Sequence, residues 1–333
     1  MTVRFALLGA GRIGKVHARA IRANPDAALV AVADAMPAAA AALAAEHGAK
    51  VATIDAIAAD PGVDAVVICT PTDTHADLIE QFTRVGKAVF CEKPIDLSVS
   101  RVRDCLATVA AAKGVLMVGF NRRFDPDFMV VKAALDAGRV GKVEMVTISS
   151  RDPGAPPVDY IARSGGIFRD MTIHDFDMAR WLLGEEPETV QAAASVLTDP
   201  AIGRAGDYDS VNVILRTASG RQAIITNSRR AAYGYDQRIE VLGEKGAVAA
   251  QNMAEANIEV ADAAGFHRPP LLNFFMTRYV AAYANEIAAF IAAVRDGAPT
   301  PTTGEDGLRA LILADAALKS VAEGRAVRVS EIG

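Results

Sequence analysis

An apolar run at residues 3–8 ends directly in Gly9-Ala10-Gly11-Arg12-Ile13-Gly14, and this junction limits the fold more than any other feature of the chain. A GxGxxG sequence is weak evidence alone. Its force comes from the short buried strand predicted before it and the helical pattern at 12–23 after it. The first glycine permits a tight turn, the second lets backbone approach a pyrophosphate, and the third lets helix pack on strand. The helix start adds N–H donors and the positive end of a dipole. The plainer reading is an ordinary strand–helix turn. Asp34 closes the next apolar run, 20 residues beyond Gly14. A carboxylate at that spacing accepts hydrogen bonds from a ribose and repels a 2′-phosphate, which favours NAD over NADP. A strand-end turn aspartate is the alternative.

Further apolar runs at 28–33, 63–69, 88–91 and 115–119 alternate with helical stretches at 37–47, 75–85 and 98–112. Buried strands alternating with helices predict βαβ units and a parallel sheet covered on both faces. The pattern changes after residue 120. A Pro/Gly-rich loop at 151–157 and a helix at 170–183 stand among strand-like runs at 143–149, 190–197, 210–217, 222–227, 237–242, 247–251 and 257–261. Short connections there predict a mainly antiparallel sheet. Helices at 275–295 and 305–323 close the chain. The expected fold class is α/β: a Rossmann dinucleotide-binding domain at 1–120, then an α+β domain at 121–333 whose closing helices pack back on the first.

Composition narrows the function. A length of 333 residues suits two domains, and 51% hydrophobic content suits a sizeable core. A net charge of −5 does not fit a nucleic-acid or anionic-membrane partner. Three cysteines without a CxxC pair fit a reducing compartment. No leader or membrane-spanning stretch is legible, so the expectation is cytoplasmic.

Two clusters carry chemistry. Thr70-Pro71 and Glu92-Lys93-Pro94 follow predicted parallel strands, at the end where open α/β sheets bind ligands. Lys93 is either a site residue or a solvated surface lysine. His75 either caps a helix or approaches the cofactor. Asp170 and His174 are four residues apart, so a continuous helix places them on one face. A carboxylate beside a histidine fixes its tautomer and raises its basicity, as a general base requires. An amphipathic helix with a polar face is the bland alternative. The other histidines are scattered and supply no second spaced pair, so no metal is expected.

Gly9–Gly14, Thr70-Pro71, Glu92-Lys93-Pro94 and Asp170-x-x-x-His174 together resemble the Gfo/Idh/MocA oxidoreductases over nearly the whole chain. The stretches 119–125, 164–170, 172–177 and 234–238 are similar to those of the bacterial inositol 2-dehydrogenases within that family. The resemblance implies an NAD-dependent dehydrogenase acting on a cyclic polyol, myo-inositol to 2-keto-myo-inositol (scyllo-inosose). It implies Lys93, Asp170 and His174 as catalytic residues, with a cis Lys93–Pro94 peptide. It implies Gly9, Gly11, Arg12, Ile13, Gly14, Asp34, Thr70, Pro71, His75 and Glu92 at the cofactor. Arg123, Asp152, Asp177 and Tyr235 would contact substrate, with Tyr233 competing with Tyr235. Relatives of this kind assemble as dimers or tetramers. The alternatives are a scyllo-inositol, aldose or keto-sugar oxidoreductase, an NAD-dependent glycosidase, and a non-catalytic dinucleotide sensor.

Overall fold

The computed structural model describes residues 2–332. The chain opens with β1 (Val3–Leu8), α1 (Arg12–Ala23), β2 (Ala27–Ala33), α2 (Pro37–His47), β3 (Lys50–Val51), α3 (Ile54–Ala59), β4 (Ala65–Ile68), α4 (His75–Arg84), β5 (Ala88–Glu92), α5 (Val99–Ala111) and β6 (Leu116–Gly119). It continues with α6 (Pro126–Asp136), β7 (Val143–Arg151), α7 (Val158–Ser164), α8 (Gly166–Asp170), α9 (Thr172–Leu183), β8 (Pro187–Ser195), α10 (Pro200–Arg204), β9 (Ser210–Thr217) and β10 (Gln222–Ser228). It ends with β11 (Asp236–Gly243), β12 (Gly246–Ala250), β13 (Val260–Asp262), β14 (Gly265–His267), α11 (Phe275–Arg278), α12 (Val280–Asp296), α13 (Gly304–Glu323) and β15 (Val327–Arg328). Two compact units result: one runs to Asp125 and adds Val280–Leu311, the other holds Pro126–Tyr279 and the chain from Ile312 onward.

The first unit is built on a parallel six-stranded sheet in the order β3-β2-β1-β4-β5-β6. Its central strands are buried runs of Val, Ile, Leu, Phe and Ala, as strands covered on both faces must be. The chain reverses its direction of travel across the sheet beside β1, so the carboxyl ends of β1 and β4 form the switch point where such sheets bind ligands. Right-handed crossovers then place α1 on one face and α4 with α5 on the other. Helix α12 covers the α1 face. Its Phe290 ring lies 6.0 Å from that of Phe5 and 5.7 Å from that of Phe90.

The second unit carries a seven-stranded sheet in the order β12-β11-β7-β10-β9-β8-β15. Its pairs are antiparallel except β7 with β10. Alternation decides its faces. Val146, Ile148, Val213, Leu215, Ala223, Ile225, Ile239 and Val241 are buried, and α9 packs on β7 and β10. Met145, Ile214, Ile224 and Leu242 point the other way and are exposed.

The structure departs from the expected elements at specific points. The helix expected at 170–183 is α9 from Thr172 onward, while Asp170 ends a separate, unexpected helix, α8, across a break at Met171. The helix expected at 275–295 breaks at Tyr279, between α11 and α12. The strand expected at 257–261 appears three residues later as β13, one arm of a separate two-stranded hairpin with β14. Helices α3, α6, α7 and α10 and strands β3, β14 and β15 were not expected. Except for α6, these are seven residues or shorter, too short to show a period.

Candidate active site

The glycine loop has the geometry that its sequence requires. A Cβ on Gly9 would lie 2.5 Å from the Cys69 carbonyl oxygen, and one on Gly14 would lie 1.9 Å from that of Gly9. Both positions therefore demand glycine. Gly11 differs: nothing lies within 4 Å of its missing Cβ, so its backbone faces open space. It is the N-cap of α1 and offers no side-chain cap, which leaves the first N–H groups of the helix for an anion. Asp34 is fixed beside this loop. One carboxylate oxygen accepts the Ala10 N–H at 2.6 Å and the other accepts the Met36 N–H at 2.7 Å. An open backbone at Gly11, an uncapped helix start and a held carboxylate fit the diphosphate and ribose of a dinucleotide.

Replacing Asp34 with alanine should weaken NAD binding by about 10- to 100-fold, the loss expected for hydrogen bonds to a charged group. Discrimination against NADP should fall in parallel. Titrating both dinucleotides into the variant checks this, and an unchanged preference would place the ribose contact elsewhere.

Lys93 follows β5 and is half-buried, and its peptide bond to Pro94 is cis. The segment around it is tied down on both sides. Glu92 and His75 both make hydrogen bonds within the protein. The Glu92 Oε1 lies 2.6 Å from His17 Nε2, on the buried side of α1. His75 is 2% exposed, and its two ring nitrogens each lie 2.8 Å from a backbone carbonyl oxygen, of Pro94 and of Thr70. Its polar atoms are engaged within the protein. Thr70 is linked to Thr74 by a 2.6 Å hydroxyl contact, and Pro71 is exposed at the turn.

Sequence reasoning missed the partners of Glu92. His17, Glu92 and Glu286 from α12 bring one ligand-type atom each within 4.8 Å of one another, the one such trio among the described residues. The 2.6 Å His17–Glu92 contact is a direct hydrogen bond. Two ligand atoms around one ion at ~2.0–2.2 Å from it stand about 3 Å or more apart, so this arrangement is a hydrogen-bonded His17–Glu92 pair with the buried Glu286 carboxyl 3.9 Å from the ring nitrogen. Burial, then the charge of Glu92, pushes the Glu286 carboxyl well above its usual range. The signal for His17 was present: it shares the buried face of α1 with Gly14, Ala18 and Ile21.

The raised Glu286 carboxyl links stability to pH. The unfolded chain releases this proton near the ordinary glutamate value of ~4.3, whereas the folded chain keeps it. Stability is therefore full below that value and falls as pH rises toward the folded value, by up to about 1.4 kcal/mol per pH unit. Glu286→Gln keeps the shape and removes the proton. Its melting temperature should exceed that of the parent near pH 8, with the gap closing near pH 5. Parallel pH dependences in the two proteins would contradict this.

In the second unit, Asp170 is the last residue of α8 and His174 lies in the first turn of α9. The break at Met171 corrects the expectation of one continuous helix face. Asp170 accepts the Tyr160 hydroxyl at 2.9 Å, and its other oxygen lies 3.9 Å from the buried Arg229 guanidinium. Arg229 also meets Asp207 at 3.2 Å, and Asp207 accepts the Ile167 N–H at the start of α8. The start of α9 is anchored separately. Thr172 donates to Asn227 at 2.6 Å, Asn227 donates to Asp175 at 2.8 Å, and Ser150 donates to Asp175 at 2.6 Å, all buried. This network docks α9 on β7 and β10. Each helix has its own anchor, which explains why the backbone need not be continuous. His174 is the one residue between Met171 and Arg180 that is not buried.

The expected substrate contacts divide. Asp152 follows β7, with its N–H on the Ser228 carbonyl at 2.9 Å. Asp177 is buried on α9, 3.8 Å from Arg180. Tyr235 is buried, with its ring edge-on to Phe274 and Tyr279 at 6.0 Å from each. Tyr233 is 51% exposed; its hydroxyl donates to Asp236 at 2.6 Å and accepts from Arg151 at 2.8 Å. Arg123 lies in the first unit, where its guanidinium pairs with Asp306 at 2.9 Å and donates to the Pro301 carbonyl at 3.3 Å.

Residues 3–120 match a family described as an oxidoreductase family with an NAD-binding Rossmann fold, and residues 128–249 match the Gfo/Idh/MocA C-terminal domain. The chain belongs to the Gfo/Idh/MocA oxidoreductases. An inositol 2-dehydrogenase of Rhizobium meliloti is 70% identical over 330 residues, covering 99% of this chain and 100% of the relative. The crystal structure of a myo-inositol dehydrogenase from Corynebacterium glutamicum superposes with a TM-score of 0.95 at 44% identity, over 98% of this chain and 99% of the other. That of a scyllo-inositol dehydrogenase from Lactobacillus casei, with bound NAD(H) and scyllo-inositol, gives 0.93 at 30% identity, over 99% and 100%. A Gfo/Idh/MocA chain is an NAD-binding oxidoreductase, and the glycine loop and Asp34 of this one are built accordingly.

Proposed function

We propose that this protein oxidises a ring hydroxyl of an inositol with NAD, converting myo-inositol to 2-keto-myo-inositol. Full-length likeness to proteins named inositol 2-dehydrogenase carries this reading. Gly9, Gly11, Arg12, Ile13 and Gly14 would hold the diphosphate and Asp34 the ribose, with Thr70 and Pro71 toward the nicotinamide. NAD, when bound, supplies the hydride acceptor.

The protein supplies position, charge and a proton path. His174 takes the proton from the reacting hydroxyl at an imidazole nitrogen. Asp170, held by Tyr160 and Arg229, stabilises the charged imidazole that results. The Lys93 ammonium donates to the reacting oxygen and stabilises its developing negative charge. Asp152, Asp177 and Tyr235 are the substrate contacts. The Tyr233 hydroxyl serves Asp236 and Arg151, and Tyr233 competes with Tyr235 as the substrate contact. Arg123 is a weaker contact than the sequence suggested, because Asp306 already pairs its charge.

A second reading, scyllo-inositol as substrate, is favoured by the scyllo-inositol held in the Lactobacillus casei relative. Both epimers give the same ketone on oxidation, so measuring by NMR which of them is consumed, alongside NADH, separates the two. A ketone at C2 of myo-inositol, equimolar with NADH, supports the first reading; product from scyllo-inositol alone replaces it with the second.

We also place a homo-oligomer interface on the outer face of the seven-stranded sheet. Ile224 pairs with Ile214 and Leu242 with Met145 across neighbouring strands, forming an exposed apolar surface. No helix among the described residues is long and apolar enough to cross a membrane. The three cysteines are unpaired and buried, which accords with a reducing cytoplasm.

A further inference from the structure

His75 is the first residue of α4 and is 2% exposed. Its Nδ1 lies 2.8 Å from the Pro94 carbonyl oxygen and its Nε2 lies 2.8 Å from the Thr70 carbonyl oxygen. A carbonyl oxygen only accepts. Each ring nitrogen must therefore donate, yet a neutral imidazole has one N–H and only the imidazolium has two. With one nitrogen unprotonated, its lone pair would face a carbonyl lone pair at hydrogen-bond distance inside the protein.

We propose that His75 carries protons on both ring nitrogens in the folded protein and acts as a positioning residue for Lys93, by clamping the turn after β4 to the turn after β5. Thr70 lies two residues beyond β4 and Pro94 two beyond β5, and these strands are parallel neighbours. The ring therefore bridges two adjacent carboxyl ends at the ligand-binding edge of the sheet. It grips the chain immediately after Lys93. Immediately before Lys93, the Glu92 side chain is held by His17. Helices α1 and α4 lie on opposite faces of the sheet, because the β1-to-β2 and β4-to-β5 crossovers run in opposite directions across it. Lys93 is thus fixed from both faces, and only the α4 grip requires a doubly protonated ring. The clamp itself stands on hydrogen-bond geometry; its effect on turnover rests on the role proposed for Lys93.

The first test uses the unmodified protein with 15N-labelled histidine and reads the ring nitrogens by NMR. The His75→Gln variant assigns the signal by its disappearance. At about pH 7.5, His75 should show a directly bonded proton on both nitrogens. A nitrogen without a proton overturns the proposal. This readout needs neither substrate nor turnover, so it survives a failure of the polyol reading, which would instead show as an inactive parent enzyme.

The second test is a double-mutant cycle between His75→Ala and Lys93→Met. With Lys93 present, His75→Ala should lower kcat about 10- to 100-fold, as misplacement of a catalytic group does, with NAD affinity changed less than about threefold. With Lys93 already replaced, it should lower the residual rate hardly at all. An equal loss in both backgrounds, or no loss in either, overturns the positioning role. If His75→Ala does not fold, His75→Gln, which retains one donor, takes its place in the cycle.

Discussion

Lys93→Met should lower kcat about 10³-fold while leaving NAD affinity within about threefold. The size follows from the role. Only an interaction stronger in the transition state than in the ground state accelerates the chemistry, and charge develops on the reacting oxygen as the C–H bond breaks. Methionine matches the length of the lysine stem and removes the ammonium. Affinity should persist because the dinucleotide contacts proposed above lie elsewhere, at the open Gly11 backbone, the start of α1 and Asp34. Stopped turnover with intact binding, read by kinetics and by calorimetric titration of NAD, is the expected pair of results. A kcat within about tenfold of the parent would remove Lys93 from the mechanism.

The second large effect is at His174. Its replacement by alanine should lower kcat by about 10²- to 10⁴-fold, the range for a positioned general base. The parent rate of oxidation should rise with pH as the base loses its proton, and this rise should disappear in the variant. Full retention of the pH dependence would assign the titration to another group. Because α9 is anchored by Thr172, Asp175, Asn227 and Ser150, the variant should fold normally. A melting temperature near that of the parent is the control.

The two halves of this chain differ in how much their sequence discloses. The glycine loop was legible because each glycine answers a separate steric demand: backbone 2.5 Å from Gly9 and 1.9 Å from Gly14, and open space at Gly11. Asp34 was legible because the loop-to-carboxylate spacing is set by the length of one βαβ unit. His75 and Glu92 lie at the expected edge of the sheet, but their protein partners were not legible. Nothing local shows that a histidine at the start of α4 reaches two carbonyls, one of them 19 residues away. The same holds for Glu286, which meets Glu92 only because α12 returns to the first sheet. At Asp170 and His174 the four-residue spacing suggested one helix face. The actual support comes from Arg229, Asp207, Asn227 and Ser150, which lie 22 to 77 residues away from their partners or from one another. Periodicity reports what lies along one element and is silent on such cross-chain hydrogen bonds.

The most direct test of the central claim is the initial rate of NADH formation from myo-inositol, scyllo-inositol, glucose and xylose, each supplied with NAD or NADP. The value of kcat/KM should be greatest for myo-inositol with NAD and fall steeply when NADP replaces it. Silence with both inositols alongside turnover of glucose or xylose would contradict the claim.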